Sequence, residues 1–445
     1  MKIDVAGAGA GKTTGLAAEI IERHKSSPEN KNIYCVAFTN NAVASIEEKL
    51  QYYYGVVPHN IIICTIHSFL YQEFISPYFY LIYGKHYKSI STIQLPPKIS
   101  YKNKTLNELE NKDVLHVVKI PEKAKWVVFK KSSDKTREKC TRKIILDTFV
   151  SYCDIIYVDE AQDIDSDMKE IFSALDNIGI EVVLKGDPKQ DMRGHGCFRE
   201  LISQECNEVT YNTVCHRCPE KHLNITNSFV LQAEQQVSSK NGGDINIVFE
   251  SNCRLSELAL QDFDLRYIYK RNDTVDTHSG KSNHIYFENL LYEVKSVLSQ
   301  VDEEEHVKEI TAYRFTQLMI RLVSEGKSVA ATIAPLYKYV GRLTKEQYAR
   351  VYSAISLSNH TDLQGIVVNS IESIKGLEGN NCLFILTSDL AAYLFGNKTS
   401  ENKIKNALYV ALTRSLNKLT ILICKEVEKE YGRQKINEFF DSFQQ

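Results

Sequence analysis

The residues with the most specific chemistry open the chain, in the run AGAGAGKTT at 6–14. An apolar, strand-like stretch precedes the run and a helical pattern follows it over 15–23. Gly7, Ala8, Gly9, Ala10 and Gly11 carry little or no side chain, so their backbone N–H groups can converge on phosphate oxygens. The N-terminus of the following helix adds a favourable dipole. Lys12 would then sit on the β- and γ-phosphates, the Thr13 hydroxyl on Mg²⁺, and Thr14 would complete the loop. The first glycine of the general pattern is Ala6 here. The groups implied are ATP and Mg²⁺.

A phosphate loop needs carboxylates at a nearby strand end, to hold the metal and to orient water. The run IIYVDEAQD at 155–163 supplies them. Asp159 would reach Mg²⁺ through its water shell, and Glu160 would polarise the attacking water. An acidic helix start accounts equally well for Asp163 and Asp165. It does not account for two adjacent carboxylates ending an apolar strand.

These groups require a scaffold that brings distant strand ends together. A chain of 445 residues is too long for one core and suits two or three domains. Short β-branched runs at 33–38, 61–65, 155–159 and 181–186 alternate with helical stretches, as a parallel sheet with crossover helices requires. A second alternation, at 265–271, 365–369, 382–387 and 419–424, follows a polar, glycine-containing segment at 238–244. The expected organisation is a first core over 1–237 with an inserted subdomain at about 70–148, and a linker at 238–244. A second core over 245–445 would carry a helical insertion at about 285–360.

Composition sets further bounds. With 43% hydrophobic and 25% charged residues the chain reads as an ordinary globular protein. No apolar run approaches a membrane span. The start runs straight into a strand rather than a signal or transit peptide, so a cytoplasmic protein is expected. Eleven cysteines, an odd number without framework spacing, read as reduced and mostly buried. A net charge of -2 exerts little long-range pull, so a polynucleotide would have to be held by a local basic track.

DEAQD at 159–163, followed by GDPKQ at 186–190, resembles motifs II and III of the UvrD/Rep/PcrA group of superfamily one DNA helicases. The remaining blocks occur in the family's order: AFTNNAV at 37–43, TIHSF at 65–69, CHRCP at 215–219, SIESIKGLEG at 370–379 and ALYVALTRS at 407–415. The resemblance implies an α/β fold of two RecA-like P-loop NTPase domains with parallel sheets and small helical insertions. It implies that Gln190 senses the γ-phosphate and that Glu378 contacts the ribose. Arg217 and Arg414 would reach the transferring phosphoryl, where a planar guanidinium stabilises charge bidentately. The implied activity is ATP-driven translocation or unwinding on single-stranded DNA, in the 3′ to 5′ direction. Phe38, Thr39, Asn40, Thr65, His67 and Ser68, at two strand ends, would contact the strand's phosphates without reading sequence. Taken singly, Thr39 and Ser68 also fit ordinary helix caps.

The chain departs from the family where a strand or a base would be held. The run at 191–196 lacks the family's stacking tryptophan, a platform worth about 1–3 kcal/mol per base. Glu372 stands where a histidine is usual, and His216 where a tyrosine often stacks on the nucleotide base. The family's adenine-reading glutamine would lie upstream of the first residue, so weak discrimination among nucleoside triphosphates is expected. These departures favour a rival reading: a nucleotide- or nucleic-acid-sensing ATPase that switches a partner protein. The reduced insertions are similar to those of UvrD-like subunits in bacterial anti-phage systems such as Gabija, which work with a nuclease-bearing partner. Three further features carry competing readings. Lys123, Lys125, Lys130, Lys131, Lys135, Arg137, Lys139, Arg142 and Lys143 surround Trp126 and Phe129, as a single-strand contact or a solvated surface. Cys215 and Cys218 form a C-x-x-C that suits zinc or redox chemistry as well as the helicase motif. Glu293 and Lys295 have nuclease-like spacing in a helical pattern where that motif needs a strand.

Overall fold

The computed structural model describes the chain except residues 97, 130, 205, 254–257, 259–260, 271–274, 278–281, 302–304, 357–365, 397 and 444–445. Its first sheet contains β1 (Lys2–Ala6), β2 (Asn32–Ala37), β3 (Ile61–Thr65), β4 (Cys153–Val158), β5 (Glu181–Gly186) and β6 (Glu208–Asn212). All pairs are parallel, in the order β3-β2-β4-β5-β1-β6. The strands are apolar on both faces because both faces are covered, and successive residues supply opposite cores. Tyr34, Val36, Ile156, Val158, Val182 and Leu184 pack on one side with Phe69 and Phe149. Ile33, Cys35, Ala37, Ile155, Tyr157 and Val183 face Leu16 and Ile20 of helix Lys12–Ser26, and Ile46 and Leu50 of helix Asn40–Tyr54.

The stretch expected as an inserted subdomain folds into helices Ser76–Tyr83, Ile99–Asn111, Ile120–Val128 and Thr136–Tyr152, with a short parallel pair, Ser89–Ser91 and Val114–His116. Phe74, Phe79, Leu115, Ile120 and Val127 belong to the same buried cluster as Tyr34 and Val158. This stretch therefore shares the first sheet's core.

The second sheet contains β7 (Asp244–Phe249), β8 (Leu265–Ile268), β9 (Val275–Thr277), β10 (Ile366–Ser370), β11 (Gly379–Leu386) and β12 (Ser415–Ile423). It is also parallel, in the order β7-β12-β11-β8-β10-β9. The expected strand at 265–271 ends at Ile268; Arg271, like Gly365 before β10, lies outside the described residues. Between β9 and β10, helices Ser282–Leu298, Glu305–Ser324, Val329–Val340 and Lys345–Ser356 close around their own core of Leu290, Val294, Met319, Ile333 and Val351. The fold is thus α/β, with two RecA-like cores built on parallel sheets.

The segment between the cores is anchored. Val237–Ser238 pairs with Val214–Cys215, and the carbonyls of Lys240 and Gly242 accept from the amides of Glu220 and Lys221 at 3.0 and 3.1 Å. Gly243 has φ 97, and a Cβ there would lie 2.4 Å from the Pro219 Cβ, so only glycine fits. Among the described residues no helix is long and apolar enough to cross a membrane.

Candidate functional site

β1 ends at Ala6 and the next helix begins at Lys12, so the intervening residues must turn tightly at a strand tip. Gly9 and Gly11 take left-handed conformations, with φ 69 and 73. A Cβ on Gly9 would also lie 2.3 Å from the Arg217 Cβ. Lys12 Nζ lies 3.2 and 3.3 Å from the carbonyl oxygens of Ala6 and Gly7. Beside the loop, Asp4, Ala10, Gly11, Lys12, Glu19, Lys185 and Asn212 line a cleft of about 320 Å³.

The acidic pair follows β4, two strands from the loop. Asp159 is buried, and Glu160 has φ 55, a left-handed conformation that costs a side-chain-bearing residue energy and recurs at functional sites. The Glu160 amide donates to Asp159 Oδ1 at 2.9 Å, and the Gln162 side-chain amide donates to the Glu160 carboxylate. Gln162 Oε1 accepts from the Asp187 amide at 2.9 Å, and Asp187 Oδ2 accepts from Gln190 Nε2 at 2.9 Å. Lys189 pairs with Asp187 at 3.0 Å. The ends of β4 and β5 are thereby tied into one polar network.

Electrostatics identify where these groups converge. Burial, then the Glu160 charge, push the Asp159 carboxyl up to about 6, with Lys12 opposing. Burial would also raise Glu160, but Lys12 and Lys375 outweigh it and hold that carboxyl below its ordinary value. For Asp187, burial is likewise outweighed by Lys189 and Lys12. The charge of Lys12 thus acts on all three carboxylates.

Residues near the second core close the site. Lys375 Nζ lies 2.6 Å from Asp163 Oδ2, and Arg217 Nε lies 2.6 Å from Glu378 Oε2. Arg414 is fully buried. Its Nε donates to Val410 O at 3.0 Å, Nη1 to Leu377 O at 3.3 Å and Nη2 to Thr413 Oγ1 at 3.1 Å. Burial, then repulsion from Arg217, lower its pKa, and among the described residues it has no ion pair. The sequence reading missed Lys375, Asp163 as its partner, Tyr409 and Gln236. Lys375 and Tyr409 lie inside recognised blocks, whereas nothing local marks Gln236.

The proposed strand contacts are less uniform. Thr39 and Thr65 are helix caps, accepting from the amides of Ala42 and Ser68, each at 3.2 Å, and Thr65 Oγ1 lies 2.9 Å from Ser68 Oγ. Asn40 is exposed, while Phe38 and His67 are half-buried. Burial, then Arg193, lower the His67 pKa, which places His67 close to the exposed segment after Gln190. There Asp191 accepts from the amides of Gly194 and Gly196 at 2.7 and 2.8 Å, presenting Arg193 and His195 to solvent. Glu372 and His216 are exposed.

Three cations of the lysine-rich stretch are neutralised by ion pairs. Lys123 pairs with Glu110 and Lys125 with Asp167, at 3.0 and 2.5 Å, while buried Arg142 pairs with Asp134 at 2.8 Å. Lys131 lies over Tyr83 and Trp126, at 4.6 and 4.7 Å from the ring centroids. Lys130 falls outside the described residues, leaving Lys135, Arg137, Lys139 and Lys143 exposed. Cys215 and Cys218 are buried thiols and, among the described residues, join no third metal-ligand side chain. Seven of the eleven cysteines are buried, and among the described residues none forms a disulfide.

Two parallel-sheet cores, a glycine-rich phosphate loop and a buried acidic pair are the parts of a P-loop nucleotide site. Residues 2–194 match the AAA domain family. The chain is 28% identical over 265 residues to the Gabija protein GajB of Bacillus cereus (strain VD045). That match covers 58% of this chain and 52% of GajB, so it spans about half the length of the curated relative. Among solved structures, the PRRSV helicase is 9% identical over 95% of this chain and 52% of its own, with TM-score 0.37. An arterivirus nonstructural protein 10 helicase, solved with DNA, is 10% identical over 94% and 59%, with TM-score 0.40. The resemblance to UvrD-like helicases read from the motifs holds.

Proposed function

We propose that the chain hydrolyses ATP between its two cores and uses the cycle to translocate on single-stranded nucleic acid, DNA foremost. The convergence of Lys12 with Asp159, Glu160 and Asp187, closed by Lys375 from the other core, carries this reading. Residues 7–14 would cradle the phosphates, and Glu378 would meet the ribose once Arg217 leaves it. Thr13 and Asp159 would hold Mg²⁺, which neutralises phosphate charge when bound. Glu160, ionised and oriented by Gln162, accepts a proton from the attacking water. Gln190, hydrogen-bonded to Asp187, would sense the γ-phosphate. Arg217, once free of Glu378, and Arg414, whose pKa the Arg217 charge lowers, would bring two cations to the transferring phosphoryl.

A second reading has its own support. Exposed Glu372 and the tryptophan-free turn after Gln190 weaken the strand track. The similarity to GajB favours a regulatory ATPase in phage defence, with a nuclease-bearing partner. ATP turnover with single-stranded DNA, single-stranded RNA and duplex separates the two. Translocation predicts stimulation by a single strand above the basal rate; identical rates in all four conditions would favour the partner-switching ATPase.

A further inference from the structure

Outside side chains hold the phosphate loop at two residues, Ala10, whose carbonyl accepts from Asn212 Nδ2 at 3.2 Å, and Ala8. The Ala8 amide donates to Tyr409 Oη at 2.9 Å, and Ala8 O accepts from Gln236 Nε2 at 3.1 Å. Tyr409 Oη donates in turn to Gln236 Oε1 at 2.6 Å, closing a ring of hydrogen bonds around the Ala8 backbone. Every member is buried. Gly7 lies directly beneath, since a Cβ there would meet Gln236 Cδ at 2.2 Å. On its other side Tyr409 receives the Lys189 ammonium, 5.0 Å from the ring centroid. Lys189 pairs with Asp187, which also holds Gln190. Tyr409 thus touches both the loop and the segment expected to sense the γ-phosphate.

The chemistry of the loop makes this contact consequential. A run of glycine and alanine has no side chains with which to select one backbone conformation. A buried, fully satisfied polar ring does select one, because loss of any member strands a donor or acceptor away from water. Tyr409 lies on helix Lys403–Leu412, whose Asn406 also donates to Asp191 O at 3.0 Å. The ring can therefore form only while that helix is docked on the first core.

We propose that Tyr409, through Gln236 and the Ala8 backbone, is a positioning residue for nucleotide turnover, so that ordering of the phosphate loop and docking of the second core are one event. This rests on the reading of the site as an ATPase. A Tyr409 that merely filled space would affect folding, whereas a positioning residue separates binding from turnover.

The test compares wild type, Tyr409→Phe, Gln236→Ala and the double variant. The readouts are kcat and KM for Mg·ATP, affinity for a fluorescent ADP analogue, and hydrogen exchange of peptides covering 1–16 and 153–158. In each single variant kcat should fall about tenfold or more while ADP affinity stays within about threefold. Exchange should quicken in the loop peptide and stay unchanged in the β4 peptide. The double variant should lose no more than the worse single, since both act through one ring. Should Tyr409→Phe not fold, Gln236→Ala carries the same comparison alone. Turnover within about twofold of wild type, additive losses, or faster exchange in both peptides would overturn the proposal. A wild type without Mg·ATP turnover would instead sink the ATPase reading and this proposal with it.

Discussion

Arg217 and Glu378, the residues expected to meet the phosphoryl group and the ribose, hold each other at 2.6 Å. Their positions lie on either side of the segment joining the cores, and nucleotide entry at the proposed site would exchange this ion pair for contacts to ATP. Arg217→Ala should lower Mg·ATP turnover by about 10³-fold or more, the range for removal of an arginine finger. Binding of a fluorescent nucleotide should change far less. Comparable losses in both would show that Arg217 serves binding alone.

Lys375 and Asp163 form a second link between the cores, with side-chain exposures of 17% and 13%. Removing one partner of a buried pair leaves the other charge uncompensated, at a cost of about 3–5 kcal/mol. Lys375→Ala should therefore destabilise strongly in urea unfolding, and adding Asp163→Asn should recover a large part of the loss. No recovery in the double variant would show that the pair is not coupled.

Acid stability should depend on Asp154. Arg23 Nε and Nη2 donate to its two carboxylate oxygens at 2.7 and 2.9 Å, and Ser27 donates at 2.8 Å. Burial raises this carboxyl, but the hydrogen bonds from Arg23 and Ser27 outweigh it and leave the pKa below the ordinary value. A depressed folded-state pKa adds stability above the unfolded value, near 3.9, and that stability disappears as pH falls through the folded value. Asp154→Asn should cost about 1.5–3 kcal/mol at pH 7 and progressively less below pH 4. A cost that does not vary with pH would contradict this assignment.

The strand track should involve Arg193 and His67, since the Arg193 charge reaches the His67 imidazole. Arg193→Ala should leave basal turnover unchanged and reduce stimulation by a single-stranded oligonucleotide. The salt dependence of binding should become shallower by about one unit of log–log slope, as for one lost phosphate contact. Unchanged stimulation and slope would remove Arg193 from the track.

The parts legible in the sequence are those whose chemistry is local. The glycine-rich turn, Lys12, the Asp159–Glu160 pair and the parallel strands announce themselves through backbone conformation, apolar runs and spacing. What escaped depends on partners far away in the chain. Tyr409 and Gln236 meet Ala8 across 401 and 228 positions, and no local pattern encodes such a meeting. The same holds for the lysine-rich stretch, where Glu110, Asp134 and Asp167 neutralise cations that composition alone leaves bare. The hydrogen bonds of Arg414 to carbonyl and hydroxyl oxygens of its own core likewise depend on the fold rather than on a local pattern.

Glu160 is proposed to activate water at a working ATPase centre. Steady-state Mg·ATP turnover by wild type and Glu160→Gln, with fluorescent-nucleotide binding measured alongside, tests it most directly. Turnover by the wild type, a loss of about 10²–10⁴-fold in the variant, and retained nucleotide binding are expected. Near-normal turnover by Glu160→Gln would contradict it.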